Sequence, residues 1–215
     1  MKPLPRLLAL TDDRVAALDD LAQRAGAIAA VGAAAGLVAR LPGGSIDTLS
    51  VLVTRFVALA RPPMASVFVT GRVDVALACG ADGIIARTGD LDARAMRDAA
   101  DRSSVGRRLV VVQSVHSLPE AEAAVASGID GLLLGTIWET ATHPGRTPSG
   151  PELIDRVARC GVPVWAVGGV TPDHAAQAYD AGAWGVAAIS ALWDATDVNR
   201  SALALLAPWR GNEER

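Results

Sequence analysis

One of the chain's three histidines, His116, stands at the end of an apolar run, Val111-Val112-Gln113-Ser114-Val115-His116-Ser117-Leu118. Imidazole both accepts and donates a proton near neutral pH, so a histidine aimed into a site supplies general acid–base chemistry. An isolated histidine is more often structural, and its position alone leaves both readings open. Arg40, Arg72 and Arg87 each follow another apolar run, as do Asp12 and Asp13. Three guanidinium groups on one rim would favour an anionic ligand, because their paired donors match carboxylate and phosphate. A further signal is Val164-Trp165-Ala166-Val167-Gly168-Gly169-Val170-Thr171-Pro172-Asp173, an apolar run ending in two glycines before a helix opens. Glycines let a phosphate approach bare backbone N–H groups. After the next run, Ser190 would add a hydroxyl and an amide. A tight turn with a helix cap is the alternative for Gly168-Gly169 alone, but two successive loops pointing the same way favour phosphate.

These residues must be positioned by regular elements, and the sequence repeats one unit: short apolar strand, turn, amphipathic helix. Strands are predicted at 7–10, 37–39, 65–69, 83–85, 109–112, 131–134, 162–167 and 185–189. Strands alternating with helices pair in parallel, and eight of them predict a single (β/α)8 TIM barrel rather than an open doubly wound sheet. Gly80, Gly128 and Gly182 fall just before strands, where glycine takes the left-handed cap of a preceding helix at little cost. In such a barrel the strand-end residues named above share the C-terminal face, where barrel enzymes keep their chemistry. The longest stretch without periodicity, 135–150, reads as a cover over that face. It carries His143, an exposed-loop imidazole. His174, in the first turn of a helix, reads as a surface residue.

Composition agrees with one domain spanning 1–215 with a frayed tail. Apolar residues are 51% and aromatics 4%, so the core must be mainly aliphatic. The net charge is −3, Lys2 is the only lysine, and the arginines are dispersed, which excludes a nucleic-acid surface. Cys79 and Cys160 lack metal-ligand spacing and read as small apolar residues near helix ends. The amino terminus lacks the apolar core of a signal peptide, and no stretch is long enough to span a bilayer, so a cytoplasmic location is expected.

The sequence resembles the thiamine phosphate synthase superfamily over nearly its whole length. The general pattern lies in Ala9-Leu10-Thr11-Asp12-Asp13, Ala81-Asp82-Gly83-Ile84, the 135–142 loop, Ala166-Val167-Gly168-Gly169-Val170 and Ile189-Ser190-Ala191. Gly71-Arg72-Val73-Asp74-Val75-Ala76-Leu77, Ser114-Val115-His116-Ser117-Leu118-Pro119-Glu120-Ala121 and Trp138-Glu139-Thr140 resemble its thiazole tautomerase (TenI) branch. The synthase joins a pyrimidine diphosphate to a thiazole phosphate with magnesium. Its Gln-x-Arg-x-Lys pattern is replaced here by Val38, Arg40 and Pro42, and its Asn-Asp-Arg by Thr70, Gly71 and Arg72. Asp90 remains as one metal carboxylate, and His143 stands where the family has a lysine. The branch resemblance implies an isomerase in which His116 is catalytic, moving protons to aromatise a thiazole carboxylate phosphate without metal or other cofactor. Arg40, Arg72, Ser114, Thr140, Thr142, Gly168, Gly169 and Ser190 are the expected substrate- and phosphate-binding residues, with Arg40 or Arg87 meeting the carboxylate. A divergent synthase and a non-catalytic thiazole-phosphate-binding regulator are the alternatives. The expected partner is a small phosphorylated thiazole, with neither nucleic acid nor membrane; a homo-oligomer is allowed but not required.

Overall fold

The computed structural model describes residues 2–62, 64–87, 89–102, 108–140, 145 and 147–210. Chain order runs β1 (Leu7–Leu10), α1 (Asp13–Ala16), α2 (Leu21–Ala29), β2 (Ala35–Ala39), α3 (Ile46–Leu59), β3 (Ser66–Thr70) and α4 (Val73–Cys79). It continues through β4 (Gly83–Ala86), α5 (Ala93–Arg102), β5 (Val110–Val115), α6 (Leu118–Ala126), β6 (Gly131–Gly135) and α7 (Pro151–Ala158). Last come β7 (Val164–Val167), α8 (Pro172–Asp180), β8 (Gly185–Ala188), α9 (Ser190–Trp193) and α10 (Val198–Arg210). Every strand pairs in parallel with its sequence neighbour and β8 closes onto β1, giving the (β/α)8 barrel that the repeating unit predicts.

Alternation along each strand separates two apolar layers. Leu8, Leu10, Val38, Phe68, Ile85, Val112, Leu133 and Trp165 fill the barrel, while Leu7, Ala9, Leu37, Ile84, Val111 and Leu134 face the helices. Two strand aromatics, Phe68 and Trp165, sit where the neighbouring strands have glycine and no side chain to oppose them. A Cβ at Gly83 would lie 2.6 Å from the Phe68 ring, and one at Gly131 would lie 2.6 Å from Trp165. Trp165 is fully buried and its indole N–H donates to the Pro5 carbonyl at 2.9 Å. Trp165→Ala would leave a cavity that closed strands cannot collapse into, and is expected to cost about 3–5 kcal/mol in urea unfolding.

Two Asp-Gly pairs anchor strand starts. Asp82 accepts the Val67 N–H at 2.9 Å, and Asp130 accepts the Val111 N–H at 2.8 Å, each tying a new strand to its neighbour. Gly80 caps α4 in the left-handed region at φ +76°, as predicted. The strand limits differ from the sequence prediction at both ends of the barrel. β5 runs on through Gln113, Ser114 and Val115, and Ser114 borders a cavity rather than a solvated loop. β2 starts two residues earlier, at Ala35, while β7 begins only at Val164 and β8 stops at Ala188. Cys79 closes α4 and Cys160 lies just beyond α7; both are half-buried thiols. The expected fraying of 211–215 lies outside the described residues. Among the described residues no helix is long and apolar enough to cross a membrane.

Candidate active site

At the carboxyl ends of the strands lies a cavity of about 370 Å3. Its wall includes Arg40, Ser114, His116, Thr140, Gly168, Gly169 and Ser190, so seven of the predicted site residues border one space. Arg40 is fixed through the Thr-Asp segment that follows β1. The fully buried Thr11 hydroxyl accepts the Arg40 N–H at 3.0 Å and donates to the Arg40 carbonyl at 2.8 Å.

His116 is held at both main chain and ring. Ser117 caps α6, its hydroxyl donating to Glu120 at 3.2 Å, and the same carboxylate accepts the His116 N–H at 2.9 Å. The ring nitrogen Nδ1 bonds the Gly135 carbonyl. A carbonyl oxygen only accepts, so Nδ1 carries the proton, and the neutral ring keeps its lone pair on Nε2. The Ser117-x-x-Glu120 spacing is a capping-box signature visible in the sequence itself.

On the β7 side, Gly168 and Gly169 both lie in the left-handed region, at φ +99° and +65°. A Cβ on Gly168 would come 2.6 Å from the Thr136 methyl, and one on Gly169 would collide with the Glu139 carbonyl. Glycine is required here by conformation and by space together. Ser190 opens α9 on the adjacent strand end.

Two expectations need correction. Arg72 does not border the cavity: it caps α4, and its guanidinium turns outward to pair with Asp74, two residues on. That pairing holds the Asp74 carboxyl below its ordinary range. His174 is not a free surface residue. It is half-buried, stacked on Trp138 with centroids 4.5 Å apart, and bonded to the Gly169 carbonyl at 2.6 Å. Thr142 and His143 lie outside the described residues. Arg87 does reach the wall, with its main chain and guanidinium both bonded to Asp90. Thr70, also on the wall, has a buried hydroxyl with no hydrogen-bond partner among the described residues.

A closed parallel barrel whose carboxyl-end cavity is walled by Gly168, Gly169, His116, Arg40 and Arg87 defines the class: a (β/α)8 barrel with its candidate site on the face where such barrels keep theirs. The family model described as thiamine monophosphate synthase (TMP-TENI) matches residues 7–192, and the chain belongs to that family. It is 40% identical over 135 residues to the thiamine-phosphate synthase of Gloeobacter violaceus, covering 62% of this chain and 38% of that one. It is 35% identical over 153 residues to the thiamine-phosphate synthase of Thermus thermophilus, covering 70% of this chain and 71% of the relative. The match spans 28% of a bifunctional ThiM/ThiE protein of Symbiobacterium thermophilum and 59% of the Geobacillus kaustophilus synthase, so the chain spans less than two thirds of several relatives it matches. The thiamine phosphate pyrophosphorylase structure from Pyrococcus furiosus superposes with a TM-score of 0.79 at 26% identity, covering 95% of both chains.

Magnesium, which the synthase resemblance implies, needs oxygen ligands free to bind it. Here Thr70 and Gly71 replace the Asn-Asp pair, and Asp90 is engaged by the Arg87 main chain at 2.7 Å and by its side chain. No group of three metal-ligating side chains occurs among the described residues. These residues do not fit a magnesium diphosphate.

Proposed function

We propose that the chain is an enzyme of thiamine biosynthesis that aromatises a thiazole carboxylate phosphate by proton transfer. The observation carrying this reading is the His116 ring, whose Nδ1–H is committed to Gly135 on the same cavity wall as Gly168 and Gly169. With the phosphate against the glycine loop, Nε2 takes the C2 proton from the ring. The resulting imidazolium returns a proton to the exocyclic carbon, so the double bond moves into the ring and no atom is gained or lost. Gaining an aromatic ring supplies the driving force. Arg40 offers the carboxylate a cationic partner, since no hydrogen bond or ion pair engages its guanidinium among the described residues.

Synthase chemistry is the second reading, favoured by the naming of many relatives as thiamine-phosphate synthase at 34–40% identity. One pair of assays separates the two. The tautomerase reading expects conversion of the thiazole carboxylate followed by NMR, at a rate unchanged by EDTA. Magnesium-dependent formation of thiamine phosphate from the pyrimidine diphosphate and thiazole phosphate would replace it with the synthase reading.

A further inference from the structure

Glycine loops bind anions only while their peptide planes face the right way. Two adjacent glycines make those planes easy to flip, because neither has a side chain to resist rotation. A flipped plane would present a carbonyl oxygen to the phosphate and repel it. The loop after β7 therefore needs a latch on its carbonyls.

The latch is visible behind the loop. The Trp138 main-chain N–H donates to the Gly168 carbonyl at 3.2 Å. The next carbonyl, Gly169, takes the Nδ1–H of His174 at 2.6 Å, which fixes the tautomer of that ring. His174 is itself placed by Thr171, whose hydroxyl caps α8 and accepts the His174 N–H at 3.2 Å. Its ring lies flat on the Trp138 indole, 6° from parallel, and that indole donates to Gln177 at 3.3 Å, one turn farther along α8. One tryptophan thus joins the β6 loop, the glycine loop and α8.

The consequence follows from peptide geometry. The Gly168–Gly169 and Gly169–Val170 bonds are trans, so each carbonyl points opposite to the N–H that follows it. Holding both carbonyls at the rear turns the Gly169 and Val170 N–H groups to the other side. That side is the cavity, which both residues border, and among the described residues neither N–H makes a hydrogen bond.

We propose that His174 is a positioning residue that aims the Val170 amide at the ligand's anion by holding the Gly169 carbonyl. The inference rests on anion binding at this loop and is independent of the tautomerase chemistry, so its test uses inorganic phosphate as the probe and measures no turnover.

His174→Phe keeps a ring to stack on Trp138 but removes the donor. Phosphate affinity in calorimetry should fall about tenfold or more, the usual worth of one hydrogen bond to a charged group. The downfield shift of the Val170 amide proton that phosphate causes in the wild type should be lost. His174→Asn removes the ring but places its amide nitrogen the same number of bonds from the backbone as Nδ1. Its affinity should stay within about threefold of wild type. A Phe variant that binds as well as wild type overturns the proposal. So does an Asn variant as weak as the Phe variant, or a wild-type Val170 amide that phosphate leaves unmoved.

Discussion

His116→Asn should lower tautomerase turnover by about 10²–10⁴-fold, the range set by losing a positioned general base. Asparagine suits the test because its amide nitrogen falls where Nδ1 was and can still donate to the Gly135 carbonyl. The main-chain bond from residue 116 to Glu120 also survives, since any residue supplies that N–H. What disappears is Nε2, the atom proposed to take and return a proton. Phosphate affinity and thermal midpoint should therefore stay near wild type while the NMR signal of the aromatic isomer fails to accumulate. A variant that isomerises at the wild-type rate would remove the mechanism proposed for His116. A variant that loses phosphate binding as well would give the ring a role in holding the ligand.

The barrel was legible because its signals are local and repeated. Apolar strands begin after helix-capping glycines such as Gly80; the bonds by which Asp82 and Asp130 tie strand starts together emerge only in the structure. Strand-end position also brought His116, Arg40, Gly169 and Ser190 to one cavity wall. Position does not determine where a long side chain goes afterwards. Arg72 follows β3 as expected, but Gly71 turns the chain at φ +73° and Asp74 draws the guanidinium outward. Arg87, from the next strand, occupies the space instead: a Cβ on Gly71 would lie 2.8 Å from its guanidinium. The reading of His174 failed for a related reason. The first turn of a helix is usually exposed, and its contact with Trp138 spans two loops whose approach no local pattern records. β5 ends later than its apolar run predicts because Ser114 looks like a loop residue until the cavity it borders is known.

Gly169→Asp should all but abolish anion binding, and pairing it with Gly169→Asn divides the loss into shape and charge. The two side chains have nearly the same size, and both residues tolerate the left-handed backbone better than most. Each would drive its Cβ toward the Glu139 carbonyl, so both should destabilise the β6 and β7 loops and lower the unfolding midpoint by similar amounts. Only the aspartate adds a negative charge beside the amides of Gly169 and Val170. Two like charges about 4 Å apart repel by about 4 kcal/mol in surroundings of intermediate polarity, which corresponds to about 10³-fold in affinity. Calorimetry with a thiazole phosphate should thus show Gly169→Asn weakened and Gly169→Asp weaker again by about 10²–10³-fold, with the gap narrowing as salt screens the charge. Equal affinities for the two variants would mean that the phosphate does not meet this loop. In that case the anion would have to sit toward Arg40, and the substrate would lie reversed in the cavity relative to His116.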